Sequence, residues 1–151
     1  MDYKSYSTAT IDDIFNAGQL KDASILKAEE MQTLYLENNH GKEFIAHPLP
    51  LEAQTSPVYA IIADDFNKDG KMDMLLGGNN SWTRIKFGRY NANHGVVLLG
   101  NGKGSFDYLP QFKSGLTLRG DVKAMKEITT TKGKSIIVGV NDKTAILLNY
   151  K

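Results

Sequence analysis

The chain has 151 residues, 41% hydrophobic and 23% charged, which suffices for one globular domain with a core of its own. A formal net charge of +1 gives no electrostatic case for nucleic acid or an anionic membrane surface, and the lack of cysteine excludes disulfides, thiolate metal sites and a cysteine nucleophile. No apolar run approaches the roughly 18 residues of a membrane span, and the polar first ten residues lack a signal-peptide core, although a signal could have been removed or belong to a longer parent chain.

In chain order, residues 1–9 are polar and are expected to be poorly ordered. Residues 10–15 predict a short helix. Thr10 suits its N-cap, Asp12 and Asp13 its first turn, and Ile11, Ile14 and Phe15 share a face, with Gly18 as its end. Residues 19–31 are ambiguous: their Lys/Glu/Ala content with Leu20, Ile25 and Leu26 suits a helix, and Ser24 to Ala28 also reads as extended chain. Segment 1–31 is therefore set apart from 32–151, where strand patterns begin. Strands are predicted at 33–37 and 43–47 around a turn at 38–42, with Pro48, Pro50 and Pro57 punctuating the connection to the next. Strands at 58–64 and 73–78 flank a polar loop. After an irregular segment at 80–94, strands at 95–100 and 105–109 form a hairpin around 101–104. Strands at 121–128, 135–140 and 144–150 follow, with turns at 131–134 and 141–143.

The polar loop reads D-x-N-x-D-G-x-x-D. Asp65, Asn67, Asp69 and Asp73 place oxygen-bearing side chains at positions 1, 3, 5 and 9, and the carbonyl of Lys71 stands at position 7. A hard cation such as Ca2+ takes six to eight such oxygens, and glycine at position 6 permits the sharp turn. Position 12 is Leu76 where an EF-hand has a bidentate glutamate, and the flanks read as strands, so the loop is a strand-to-strand connection. The competing reading is an ordinary Asp/Asn/Gly turn without metal.

Laying the chain on itself at an offset of 62 reveals a repeat. Leu36, Asn39, Phe44 and Pro48 fall on Leu98, Asn101, Phe106 and Pro110, and the apolar run at 74–77 falls on 136–139. Positions 65, 67, 69 and 73 fall on Glu127, Thr129, Thr131 and Ser135, so one calcium site is expected rather than two. The repeating unit is a four-stranded antiparallel meander, the blade of a β-propeller. The chain would hold roughly two and a half blades, whereas closed propellers use about four to eight. The fold class expected is all-β, a partial propeller with a short N-terminal helical segment, and its open edges are candidate self-association surfaces.

The D-x-N-x-D-G-x-x-D loop with M-L-L-G-G-N after it, and the hairpin L-L-G-N-G-K-G-S-F, resemble the FG-GAP/VCBS repeat of integrin-like β-propellers. The string L-P-L-E-A-Q-T-S-P-V-Y at 49–59, G-R-Y-N-A at 88–92 and the closing I-I-V-G-V-N-D resemble more particularly the C-terminal segment of Bacteroidetes-type VCBS-repeat proteins. The resemblance covers about residues 5–150, but the Phe-Gly…Gly-Ala-Pro signature is absent and Asn91 stands where the pattern has aspartate. It implies a calcium-stabilised propeller segment with a binding, adhesion or scaffold role, secreted, periplasmic or outer-membrane-associated, and no enzymatic chemistry.

Other chemistry is sparse. His40, His47 and His94 have no metal-ligand spacing and read as surface or loop residues, no G-x-S-x-G elbow is present, and the glycine-rich stretches fit neither a P-loop nor G-x-G-x-x-G. Segment 80–94 carries Trp82, Arg84, Phe87, Arg89 and Tyr90. It is either a recognition loop for a glycan, peptide or protein partner, with Trp82, Arg84, Arg89 and Tyr90 as contacts, or a cover in which the rings fold back over a blade edge. The function expected is a non-enzymatic calcium-binding module. The alternatives are a substrate- or glycan-binding domain associated with an enzyme, with His94 lining a site, and a self-associating structural unit.

Overall fold

The computed structural model describes residues 2–131 and 133–150, the side chain of Phe87 apart. Lys132, in the predicted turn at 131–134, and the Phe87 ring lie outside the described residues. The chain divides into two units, Met1–Met31 and Gln32–Lys151.

Among its described residues the first unit holds three short helices, α1 (Tyr3–Thr8), α2 (Ile11–Ile14) and α3 (Ala17–Leu20), none of which buries a residue. Each begins at a polar cap. Asp2 accepts from the Ser5 N–H, the Thr10 N–H and hydroxyl donate to Asp13, and Asn16 and Gln19 form a reciprocal capping box. Two expectations are corrected. Residues 3–8 are helical because Asp2 supplies a cap, and Gly18 lies inside α3, not at the end of α2, whose C-cap is Phe15.

Among the described residues, the second unit holds nine strands in three antiparallel sheets. β1 (Leu34–Asn39) and β2 (Glu43–Pro48) form a hairpin. β3 (Val58–Asp64), β4 (Asp73–Gly78), β5 (Val96–Gly100) and β6 (Phe106–Leu109) form a four-stranded meander. β7 (Val122–Thr130), β8 (Gly133–Val140) and β9 (Ile146–Asn149) form a three-stranded one. A short helical turn led by a proline follows both β2 and β6: a 3-10 turn at Leu51–Gln54 after Pro50, and α4 (Gln111–Ser114) after Pro110.

The middle sheet has a core on each face. Ala60 and Leu75 pack with Leu118, Val122, Ile136, Val138 and Val140 of the three-stranded side. Leu76, Val96 and Leu98 pack on the other face with Leu49, Ala53 and, from the first hairpin, Tyr35. β4 is therefore buried almost throughout and lacks the polar alternation of a one-sided strand.

The repeat is a repeat of register. Leu36 faces Ala46 in the first hairpin, and Leu98 faces Tyr108 in the second, 62 positions on. Ala60 faces Gly77 as Ala124 faces Gly139, and both ladders slip at the same place, between Val58 and Ala60 and between Val122 and Ala124. The first strands of these pairs stand 64 apart (Ala60 to Ala124) and the second strands 62 apart (Gly77 to Gly139), because the second connection is two residues shorter. This corrects the constant offset. Asp64 faces Asp73 as Ile128 faces Ser135, so Ser135 is the counterpart of Asp73, but Glu127, Thr129 and Thr131 are not level with Asp65, Asn67 and Asp69.

Candidate metal centre

The loop at 65–72 leaves β3 after Asp64 and enters β4 at Asp73. It closes on its own backbone. Asp65 accepts the Asp69 N–H at Oδ1 (3.0 Å) and the Gly70 N–H at Oδ2 (2.8 Å), and Asn67 Oδ1 accepts the same Asp69 N–H at 3.0 Å. Asp69 Oδ1 accepts the Lys71 N–H at 2.9 Å. Two residues take the left-handed region, Lys68 (φ 64°) and Gly70 (φ 82°), and the second is the position where glycine was expected.

Asp73 is fully buried. Its Oδ2 accepts the Phe66 N–H at 3.0 Å and its Oδ1 the Gly100 N–H at 2.8 Å, so one carboxylate ties the start of the loop to the end of β5. The Met72 carbonyl comes so close to Gly100 that a Cβ there would lie 2.0 Å from the oxygen. Glycine at 100 is thus what lets β5 pass under the loop.

A hard cation takes oxygen donors. Asp65, Asn67, Asp69 and Asp73 all carry side-chain oxygens, and an oxygen accepting one N–H keeps a second lone pair. Asp69 Oδ2 meets the Asn67 amide at 3.2 Å and the Lys71 ammonium at 3.4 Å. Burial raises the Asp69 carboxyl, but the Lys71 N–H, the Asn67 amide and the Lys71 charge outweigh it and leave the group below its ordinary range, ionised at neutral pH. Asp65, Asn67, Asp69, Asp73 and the Lys71 carbonyl are the groups that would hold a cation at this loop. Among the described residues, no three His, Cys, Asp or Glu side chains are gathered as closely as a bound ion would draw them.

Beside the loop stands a cluster that the sequence did not disclose. Tyr150 donates to Asp64 Oδ2 (2.6 Å) and approaches Glu127 Oε2 (2.9 Å), and the Lys134 ammonium bonds Asp64 Oδ2 at 2.8 Å. Lys134, then Tyr150, hold the Asp64 carboxyl down to about 2, while burial, then Asp64, push the Tyr150 phenol up. A cleft of about 290 Å³ opens between this cluster and the loop. The members come from β3, β7, β8 and the residue after β9, so no spacing could have joined them; the one signal was an acid at Asp64 immediately before the loop.

In segment 80–94 the structure places Trp82, Arg84, Arg89 and Tyr90 in solvent, Trp82 at 76% exposure, and pairs Asn80 with Tyr90 across a bridge. Trp82 therefore does not fold back over an edge. The segment is anchored by groups the sequence did not single out. Buried Asn79 donates to the Asn93 and Gly120 carbonyls, and buried Asp121 accepts the Ser81 N–H and hydroxyl. His40 lies in the first hairpin turn, His47 bonds Glu37 at 3.0 Å, and His94 lines a cleft of about 130 Å³ with Glu52 and Tyr108.

No helix among the described residues is long and apolar enough to cross a membrane. No protein-family model, curated protein or solved structure matches the chain.

Proposed function

We propose that residues 32–151 are a run of consecutive β-propeller-type blades in which the loop at 65–73 holds one structural Ca2+, and that the module serves binding, adhesion or scaffolding outside the cytoplasm without chemistry of its own. The propeller reading is supported by the repetition of hairpin, proline-led turn and strand pair in one register. The observation that carries the calcium reading is the inward convergence of Asp65, Asn67 and Asp69 on the loop backbone above buried Asp73. The ion would neutralise clustered carboxylates and fasten β3 to β4 and β5. Extracytoplasmic modules bind calcium at roughly 10⁻⁴–10⁻³ M.

Binding to the native state alone would stabilise it by roughly 3 kcal/mol at a hundredfold excess over the dissociation constant. Thermal melts with millimolar calcium and with EDTA test this. Calcium should raise the midpoint, and Asp69→Ala should abolish the difference. Identical melts of the unaltered protein in the two buffers would sink the calcium reading.

A second reading, a site around His94, is favoured by one observation, the Glu52 carboxylate on the same small cleft. Turnover of chromogenic esters or glycosides that His94→Ala removes would establish it over the binding module.

A further inference from the structure

The middle and three-stranded sheets differ by one strand, and the gap it leaves has a definite shape. β9 occupies the place of β5: Leu76 faces Val96, and its counterpart Val138 faces Ile146. The outer edge of β5 is covered by β6, with Val97 facing Leu109 and Leu99 facing Asp107. Among the described residues, no strand covers the outer edge of β9.

β6 also fills space. Its Phe106 and Tyr108 enter the core between the first hairpin and the middle sheet, where the Phe106 ring meets Tyr35 edge-on at 5.4 Å. The matching place one layer on, between β5–β6 and β9, is a cleft of about 460 Å³ walled by Val97, Leu109, Leu116, Leu148 and Phe66. It continues the packed interface between the two sheets, since Leu75 and Ile136 of that core also line it.

We infer that the outer edge of β9 and this cleft form an acceptor site for one extended peptide strand with large apolar side chains at positions i and i+2 and a polar residue between them. The strand would run antiparallel to β9, as β6 runs to β5. Main-chain bonds to the edge would give affinity, and the two apolar side chains entering the cleft would give selectivity. The pattern is that of β6 itself, Phe106-Asp107-Tyr108. A single extended segment fits better than a second folded copy, whose strands would bring their packed layers with them. The site rests on the strand repeat and not on calcium.

The side of β9 that would donate is also fixed. The Asn101 N–H donates to the Ser105 carbonyl, so alternate residues of β5, Leu99 and Val97, aim their polar groups at β6. Leu147 and Asn149 stand level with them and face the open side. Leu147→Pro would remove one open-side donor and leave the β8–β9 ladder intact, as proline allows on an edge.

The probe is a dye-labelled peptide copying residues 104–110, titrated into the whole chain by fluorescence anisotropy in calcium and in EDTA. Saturable binding is expected in both buffers. A peptide with F106S and Y108S should bind about tenfold more weakly, or worse, for each ring lost. The protein variants Leu147→Pro, which blocks the edge, and Leu116→Trp, which fills the cleft, should each lose the peptide. Because the peptide variant leaves the protein untouched, the result stands even if one protein variant fails to fold. No saturable binding at millimolar peptide, equal binding of the two peptides, or a concentration-dependent dimer that ignores the peptide would each overturn the inference, the last by making a second copy the occupant.

Discussion

Two strand pairs in this protein share a register, a slip and a neighbour across the core, yet they are closed differently. β3 and β4 are joined by eight residues, 65–72, whereas the β7–β8 ladder runs on until Thr130 pairs with Gly133. The longer connection is not needed to build the ladder, because the shorter one builds the same ladder and extends it. What the extra length carries is a set of inward oxygens and a buried acid. The contrast is sharpest at the entry to the second strand. Asp73 is fully buried and bonds two backbone N–H groups, whereas buried Ser135 bonds the Asn149 side chain. A buried carboxylate is costly unless its partners are fixed, and here they are fixed by the loop and by Gly100.

The largest effect expected from breaking that contrast is at Asp73. Asp73→Ala strands the Phe66 and Gly100 N–H groups in the interior and should destabilise the fold by about 4 kcal/mol, at roughly 1–3 kcal/mol for each orphaned donor. Urea unfolding followed by circular dichroism measures it. Ser135→Ala removes one neutral bond and should cost clearly less; equal losses would mean that the two positions are interchangeable and the comparison empty.

Next comes an exchange of connections. Replacing residues 65–72 by the six that join Ile128 to Ser135 should give a folded protein, since that turn already closes the same register. It should also erase the roughly 3 kcal/mol of calcium stabilisation expected at a hundredfold excess. A graft that folds and still responds to calcium would place the ion elsewhere.

These two connections also mark what could be read without coordinates. Each strand was legible because a short apolar run sat between Gly, Asn, Asp or Pro punctuation, and β4 began and ended where its run did, at Asp73 and Gly78. The loop was legible because its donors lie within nine residues of one another. The constant offset failed by two positions on the first strand of each pair, because a shortened turn leaves no mark in a gapless alignment. The Asp64–Lys134–Tyr150 cluster and the Asn79 and Asp121 anchors were illegible for another reason. Their members meet only after the sheets pack, at separations of up to 86 residues, where spacing carries no information.

The smallest effect argued is a pH dependence that belongs to this cluster. Asp64 closes β3 in the middle sheet, and its partners Lys134 and Tyr150 belong to the three-stranded side, with Glu127 sharing both. The folded protein holds the Asp64 carboxyl at about 2, through Lys134 first and Tyr150 second, against an unfolded value near 3.9. A depressed acid adds stability above its unfolded pKa and loses it as pH falls toward the folded one, so the loss should run from about pH 4 down to about pH 2. Lys134 is raised by its bond to Asp64 and stays charged throughout this window. With part of the gain screened by solvent at the exposed Lys134, the contribution should be about 1–2 kcal/mol. Asp64→Asn should flatten the acid limb by that amount between pH 5 and pH 2 in EDTA, read by urea unfolding at each pH. An unchanged acid limb in this variant would assign the loss to other carboxylates and reduce the cluster to a surface contact.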